Sequence, residues 1–340
     1  MPCVDKGLSI FLTVGFAHYQ FVGSEREGLA RSTKIIARMY DSVADFAPMM
    51  RFLYETFRRS ASYENWFPDR FENSLDMKAS EHWAKHIRVW ERVDDEVAAS
   101  KKEIVAVANP EGSPRNYFLQ VDPDYGFVER EMLGWIEAHF REVKRDRAVK
   151  ETLGVHVLEG NSGREALLAE LGFRKAEVSG LLRRRRVGQP IPESVCPEGY
   201  KIRTVRKSDY DQLAAMVRLV FGHGEWFNAE VYESITRCSF YVQDLDLVAV
   251  ARDGTIASFC TFRVDPLSRI TNLEPMGTHP DHRRRGLGKA LIFEGLKRST
   301  KYDPTLFYIG GAADTPAANH LYDSTGYTEK HAYCMWCKEV

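Results

Sequence analysis

The chain repeats one pattern of elements twice, and that repetition constrains its fold more than any single motif. Residues 34–38 read as a short strand. Residues 42–57 follow, with Phe46, Met49, Met50, Leu53 and Phe57 at helical spacing. Residues 200–203 are again a strand, and over 208–221 Leu213, Met216, Val217, Val220 and Phe221 share one helical face. Ser42 and Ser208 stand where N-caps are expected. Residues 104–108 and 117–121 read as strands around a turn at 109–112, as do 256–264 and 270–278 around 265–268. Val121-Asp122-Pro123-Asp124-Tyr125 parallels Thr278-His279-Pro280-Asp281-His282, and a helix is expected after each. Late in each half, Leu168 to Gly172-Phe173 parallels Tyr322 to Gly326-Tyr327. Features in the same order predict two tandem α/β modules, each a mixed, twisted sheet with flanking helices. The expected bounds are 34–187 and 199–340, joined by a linker at 188–198 where Gly188, Pro190, Pro192 and Pro197 break regular structure.

Residues 1–33 carry no such pattern and are expected to be a loosely attached leader. Their apolar stretch, 7–17, is too short to cross a bilayer as a helix and has no clear cleavage site behind it. A formal net charge of −1 supplies no global field toward nucleic acid or anionic lipid, so any basic site is local. Six scattered cysteines suggest reduced thiols in a cytoplasmic protein. Cys334 and Cys337 fall on a final strand at 332–338, where three-residue spacing puts them on opposite faces, so no metal site is expected. Arg183, Arg184, Arg185 and Arg186 are expected to be a solvated strand end.

The local basic site is at 283–289. A strand ends at Thr278, Pro280 breaks it, and Arg283-Arg284-Arg285-Gly286-Leu287-Gly288-Lys289 opens a helix. A helix start bares N–H groups and positive dipole, two glycines admit a close anion, and arginines chelate phosphate oxygens. The spacing fits neither a nucleoside triphosphate loop nor a dinucleotide fingerprint.

Arg283-x-x-Gly286-x-Gly288 after His279-Pro280 resembles the coenzyme A loop of the GNAT superfamily of N-acetyltransferases. Leu321-Tyr322-x-x-x-Gly326-Tyr327 is similar to that family's fourth-helix motif. The resemblance covers residues 199–340. The first half resembles the same fold without the chemistry: Tyr125-Gly126-Phe127-Val128-Glu129-Arg130-Glu131 stands at the loop, and Leu168 at the tyrosine. It is expected to be a degenerate copy without cofactor.

The resemblance implies acetyl transfer from acetyl-CoA, as co-substrate, to an amine by direct attack in a ternary complex. The N–H groups of Arg284, Arg285, Gly286, Leu287, Gly288 and Lys289 would cradle the diphosphate, with Arg283 beginning the loop. Main-chain groups of Met276 and Thr278 would bind the pantetheine arm, and the Met276 N–H would polarise the thioester carbonyl. Tyr322 is the candidate general acid and Glu274 the candidate base. Strand alternation places Asn272, Glu274 and Met276 on one face. Asn319, one turn before Tyr322, is assigned to the cofactor, with Thr315 near it. Cys260 keeps a covalent route open. His223, Glu225, Trp226, Phe227 and Asp244 are expected near the acceptor, a small-molecule or peptide amine. The competing class is a non-catalytic acyl-CoA-binding or interaction module.

Overall fold

The computed structural model describes residues 34–60, 63–76, 83–94, 101–111, 113–143 and 151–340. The leader at 1–33 and Gly112 lie outside the described residues. The first half runs β1 (Lys34–Met39), α1 (Phe46–Ser60), α2 (Pro68–Asp76), β2 (Arg88–Asp94), β3 (Lys101–Glu111), β4 (Ser113–Val121), α3 (Glu129–Val143), β5 (Thr152–Leu158), α4 (Ser162–Glu170) and β6 (Arg174–Arg185). The second half gives the same order: β7 (Tyr200–Thr204), α5 (Tyr210–Phe221), α6 (Ala229–Ile235), β8 (Asp246–Ala251), β9 (Ile256–Val264), β10 (Ile270–Thr278), α7 (Leu287–Ser299), β11 (Leu306–Ala312), α8 (Pro316–Ser324) and β12 (Glu329–Glu339). The repeat is therefore structural as well as textual.

It extends to one ion pair that the sequence did not single out. Arg38 on β1 grips Asp45 through both terminal nitrogens, at 2.6 and 2.7 Å. Arg203 on β7 grips Asp209 the same way, at 2.6 and 2.9 Å. Each aspartate also accepts a main-chain N–H at the helix entry, from Asp41 and Arg206 respectively, both at 2.7 Å. The expected caps Ser42 and Ser208 are thus replaced by carboxylates, which accept from backbone and guanidinium at once. The turn expected at 109–112 is also displaced. β3 continues to Glu111, with Asn109 opposite Phe118 and Pro110 opposite Tyr117, and the register slips between Pro110 and Glu111. A proline is tolerated at such a slip, where its missing N–H costs little pairing.

Among the described residues, twelve strands form one sheet in the order β1-β2-β3-β4-β5-β12-β6-β11-β10-β9-β8-β7. The modules do not keep separate sheets. Each sends its last strand to the other: β12 pairs with β5, β6 pairs with β11, and β6 and β12 pair with one another, all antiparallel. Because β6 is central, alternate arginines of its basic run point into protein. Arg183 and Arg185 are fully buried, which corrects the expectation of a solvated end. Arg183 donates to Asp323 at 2.8 Å, to the Tyr327 carbonyl at 2.9 Å and to Asn319. Arg185 donates to the Gln189 and Pro190 carbonyls at 3.0 and 2.8 Å, pinning the start of the linker.

In each half the parallel pair in mid-sheet splays. β4 meets β5 only at Asn116 and Tyr117, and β10 meets β11 only from Ile270 to Asn272. Beyond those residues the strands diverge. α7 covers one face of the second half, with Leu287, Leu291, Ile292 and Leu296 buried against Leu247, Phe262 and Leu273. α5 covers the other, with Leu213, Met216 and Val217 against Val248 and Phe259.

The strand exchange predicts that neither half is independent. Residues 34–187 expressed alone lose the strand between β5 and β6. They are expected to aggregate or to melt without a cooperative transition, and co-expression with 188–340 to recover a soluble pair. A sharp, reversible melt of 34–187 by circular dichroism would show the exchange to be dispensable.

Candidate functional site

The second half's splay is where the singled-out residues converge. Along β10 the register with β9 passes from Leu273 opposite Phe262 to Met276 opposite Cys260, so one extra residue bulges at 274–275. The bulge overturns the simple alternation. Leu273 and Met276 both pack on the α7 side, while Asn272 and Glu274 stay together on the opposite face, with the Asn272 amide donating to Glu274 Oε2 at 3.2 Å. Met276 is therefore not on the Glu274 face. Its side chain instead covers α7, where a Cβ at Gly288 would lie 2.6 Å from the Met276 methyl.

The His279 N–H donates to the Ala257 carbonyl at 2.9 Å. Ladder alternation then turns the Gly277 N–H toward β9 and those of Met276 and Thr278 toward the edge that β11 has left. Thr278 is fixed on both sides: its hydroxyl pairs with Ser258 at 2.9 Å, and its carbonyl accepts from Arg283 Nε at 3.3 Å. The loop that follows turns on two left-handed residues, Arg284 (φ 59°) and Gly286 (φ 80°). Gly286 is the cap of α7 and has no side chain to offer, so the N–H groups of Leu287, Gly288 and Lys289 have no helical partner. Arg283, Arg284, Arg285 and Lys289 are all exposed around this end. The strand edge at Met276 and Thr278 and the helix start at 287–289 thus both turn main-chain donors outward, the latter amid exposed positive charge.

α8 closes the other side. Burial pushes the Tyr322 phenol up to about 12, aided by Cys260 and Glu274 and opposed by Arg183. The Arg183 guanidinium lies 5.5 Å from the Tyr322 ring centre. Asn319 bonds Arg183 through its oxygen and Asp314 through its amide at 2.7 Å, so both ends of its amide are engaged within the protein. Thr315 is the helix cap, accepting from the Ala318 N–H at 3.2 Å. Cys260 is fully buried, and burial holds its thiol well above the usual range. Asp244 is paired with Arg298 and Lys301 at the far end of α7, about 20 Å along that helix from the loop, so it does not join Glu274. Phe227 is core, beneath α5.

The first half has the same splay with the opposite content. The Asp122 N–H donates to Val105, so Leu119 and Val121 face the free edge. There the Asn65 side chain accepts from the Val121 N–H at 2.8 Å and donates to the Val121 carbonyl at 2.9 Å. Arg164 donates to the Leu119 carbonyl at 3.3 Å and grips Glu129 at 2.8 and 3.0 Å. Glu129 is the first residue of α3 and buried, so a carboxylate of the chain itself takes the positive end of that helix. The Val121 N–H, counterpart of the Thr278 N–H that faces the open edge of the second half, thus has an internal partner here, as does the Leu119 carbonyl.

The profile of the acetyltransferase (GNAT) family matches residues 211–327. That stretch carries the bulge, the loop and the tyrosine helix. Residues 211–327 form a GNAT-family domain. The GNAT-type fold covers nearly the whole chain. A GCN5-related N-acetyltransferase from Sphaerobacter thermophilus overlays with a TM-score of 0.62 at 19% identity, over 90% of this chain and 95% of that one. A tandem GNAT protein from the clavulanic acid biosynthesis pathway overlays with a TM-score of 0.60 at 15% identity, over 91% and 98%. The mycothiol acetyltransferase of Salinispora arenicola is 31% identical over 179 residues, 49% of this chain and 57% of that protein. The chain thus spans little more than half of that relative's length. The mycothiol acetyltransferase of Streptomyces bingchenggensis is 26% identical over 276 residues, 73% of this chain and 89% of its own.

The Asn65 clasp gives a direct test of the filled GNAT splay. Asn65→Ala strands a buried N–H and a buried carbonyl, and should cost about 2–3 kcal/mol in urea unfolding. A loss below about 0.5 kcal/mol, within the range of ordinary surface changes, would mean that the edge is satisfied in another way.

Proposed function

We propose that this protein is an acyl-CoA-dependent N-acetyltransferase whose second half alone takes acetyl-CoA. The observation that carries this reading is the contrast between the two splays. One edge and helix start are filled by Asn65, Arg164 and Glu129, while at the other no side chain among the described residues takes the main-chain donors, which lie beside four exposed cations. The first half, in this reading, is a scaffold.

The N–H groups of residues 284–289 would hold the diphosphate, and the cationic rim would neutralise it. Met276 and Thr278 would take the pantetheine arm along the β10 edge, with the Met276 N–H polarising the thioester carbonyl as charge develops on its oxygen. Glu274 would accept the amine proton from the opposite face of the sheet. The amine then attacks the carbonyl carbon, and the carbon–sulfur bond breaks as Tyr322 protonates the departing thiolate. Its raised phenol is protonated at neutral pH, so the proton is in place for the departing thiolate. Buried, protonated Cys260 is a poor nucleophile, which favours direct transfer over an acyl-enzyme. The names of the relatives favour a small-molecule amine as acceptor.

Calorimetry is expected to find one acetyl-CoA per chain, and Gly286→Val, forced into a left-handed backbone at the cap, to abolish it. Two sites per chain, or none, would overturn the reading. Thiol release from acetyl-CoA with a panel of primary amines then identifies the acceptor. Tyr322→Phe should lower kcat at least about tenfold, in line with loss of a general acid, while acetyl-CoA affinity changes little. Collapse of affinity instead would make Tyr322 a packing residue.

A further inference from the structure

We propose that Asp69, carried by α2 of the first half, is a positioning residue that sets the Glu274 carboxylate through Asn272. The inference rests on the reading of Glu274 as the base and adds to it a part for the otherwise silent half.

Glu274 needs an external hold because it sits in the bulge. The ladder with β11 ends at Asn272 and the ladder with β9 resumes at Met276, so neither neighbour fixes its direction. Its side chain is 40% exposed, against 3% for Arg263, whose guanidinium lies 3.9 Å away. Asn272 is the last residue paired on both sides, and its amide nitrogen donates to Glu274 Oε2 at 3.2 Å and to Asp69 Oδ2 at 2.8 Å. An amide between two carboxylates can face them only with its two N–H groups; reversed, it would set oxygen against oxygen. Asp69 is itself fixed, because its other oxygen accepts from the Tyr308 hydroxyl at 2.5 Å.

The helix behind Asp69 is also tied across the seam. Arg70 donates to the Gly310 carbonyl at 3.2 Å, directly over the splay, where Glu274 Oε2 lies 3.9 Å from the site a Gly310 Cβ would take. Glu72 accepts from the Ser239 N–H at 2.8 Å and from its hydroxyl at 2.6 Å. The first half therefore holds a rigid acceptor oxygen against Asn272, and Asn272 passes that constraint to Glu274.

The test compares Asp69→Leu, Asp69→Asn and Asn272→Ala, each alone and with Glu274→Gln. The donor is acetyl-CoA and the acceptor is the primary amine giving the fastest thiol release. Asp69→Leu and Asn272→Ala should each lower kcat by about tenfold or more, with acetyl-CoA affinity by calorimetry within about twofold, since neither residue belongs to the open stretch at Met276 and Thr278 or to the loop. Asp69→Asn keeps an oxygen for Asn272 and should recover most of the rate. In the Glu274→Gln background, the same substitutions should cost nothing further, because what they position is gone. Losses that multiply with Glu274→Gln, or no recovery in Asp69→Asn, would overturn the proposal and leave Asp69 a structural acid. Asn272→Ala keeps the test open should Asp69→Leu not fold. Failure of the parent reading is separate: there the unaltered protein binds no acetyl-CoA. In that event crystal structures decide, since a Glu274 carboxylate that stays in place in Asn272→Ala refutes the positioning and one that moves supports it.

Discussion

β6 leaves the first half and is bonded along both edges by strands of the second, β11 and β12, so the middle of the sheet belongs to neither module. Much else in the molecule follows from that pairing. A strand in the centre has no unpaired edge, and over residues 181–185 its side chains enter packed protein on both faces. Two arginines can be buried there only because carbonyls and a carboxylate surround them: Asp323 and the Tyr327 carbonyl for Arg183, and the Thr325, Gln189 and Pro190 carbonyls for Arg185. Arg183 thereby ties the strand of one half to the tyrosine helix of the other. The same exchange sets α2 over the β10–β11 splay, where Asp69 meets Asn272 and Tyr308.

The two splays show what a sheet must do when a parallel pair opens. A buried N–H or carbonyl without a partner costs as much as a lost hydrogen bond. The first half answers with an asparagine that imitates a passing amide, donating and accepting on one residue, and with an ion pair at the helix start. Among the described residues the second half has no such side chain at Met276 or Thr278, and its helix cap is a glycine. A ligand with an amide arm and a diphosphate would satisfy those same groups. Its binding energy would also add to the stability of the second half by mass action.

How much of this was legible in the sequence follows from the range of each interaction. Strands at 256–264 and 270–278 are legible to the residue, since apolar runs and flanking turns are local signals. The loop was legible because glycines and arginines act within a few residues of each other. The caps are not legible at Ser42 and Ser208, since the partner that prefers Asp45 or Asp209 is an arginine on the preceding strand. Burial of Arg183 and Arg185 had no local sign at all, because it depends on a strand more than 140 residues later in the chain. The pairing of Asp69 with Asn272, 203 residues apart, was hidden for the same reason.

The bulge in β10 shows how a single residue can divide chemistry between two faces of a sheet. With strict alternation from Leu273, Met276 would follow Glu274 onto the opposite face, away from Leu273 and Leu291, which pack under α7. The extra residue instead returns Met276 to the apolar face, where its methyl meets Gly288, and leaves Glu274 beside Asn272 and Arg263. The Tyr322 ring packs with the α7 side, while its phenol feels the Glu274 carboxylate, so the two groups approach the splay from opposite sides. In the proposed reading, proton acceptor and proton donor would then be kept apart without a wall between them: the opening between β10 and β11 would itself be the passage that an amine and a thioester share.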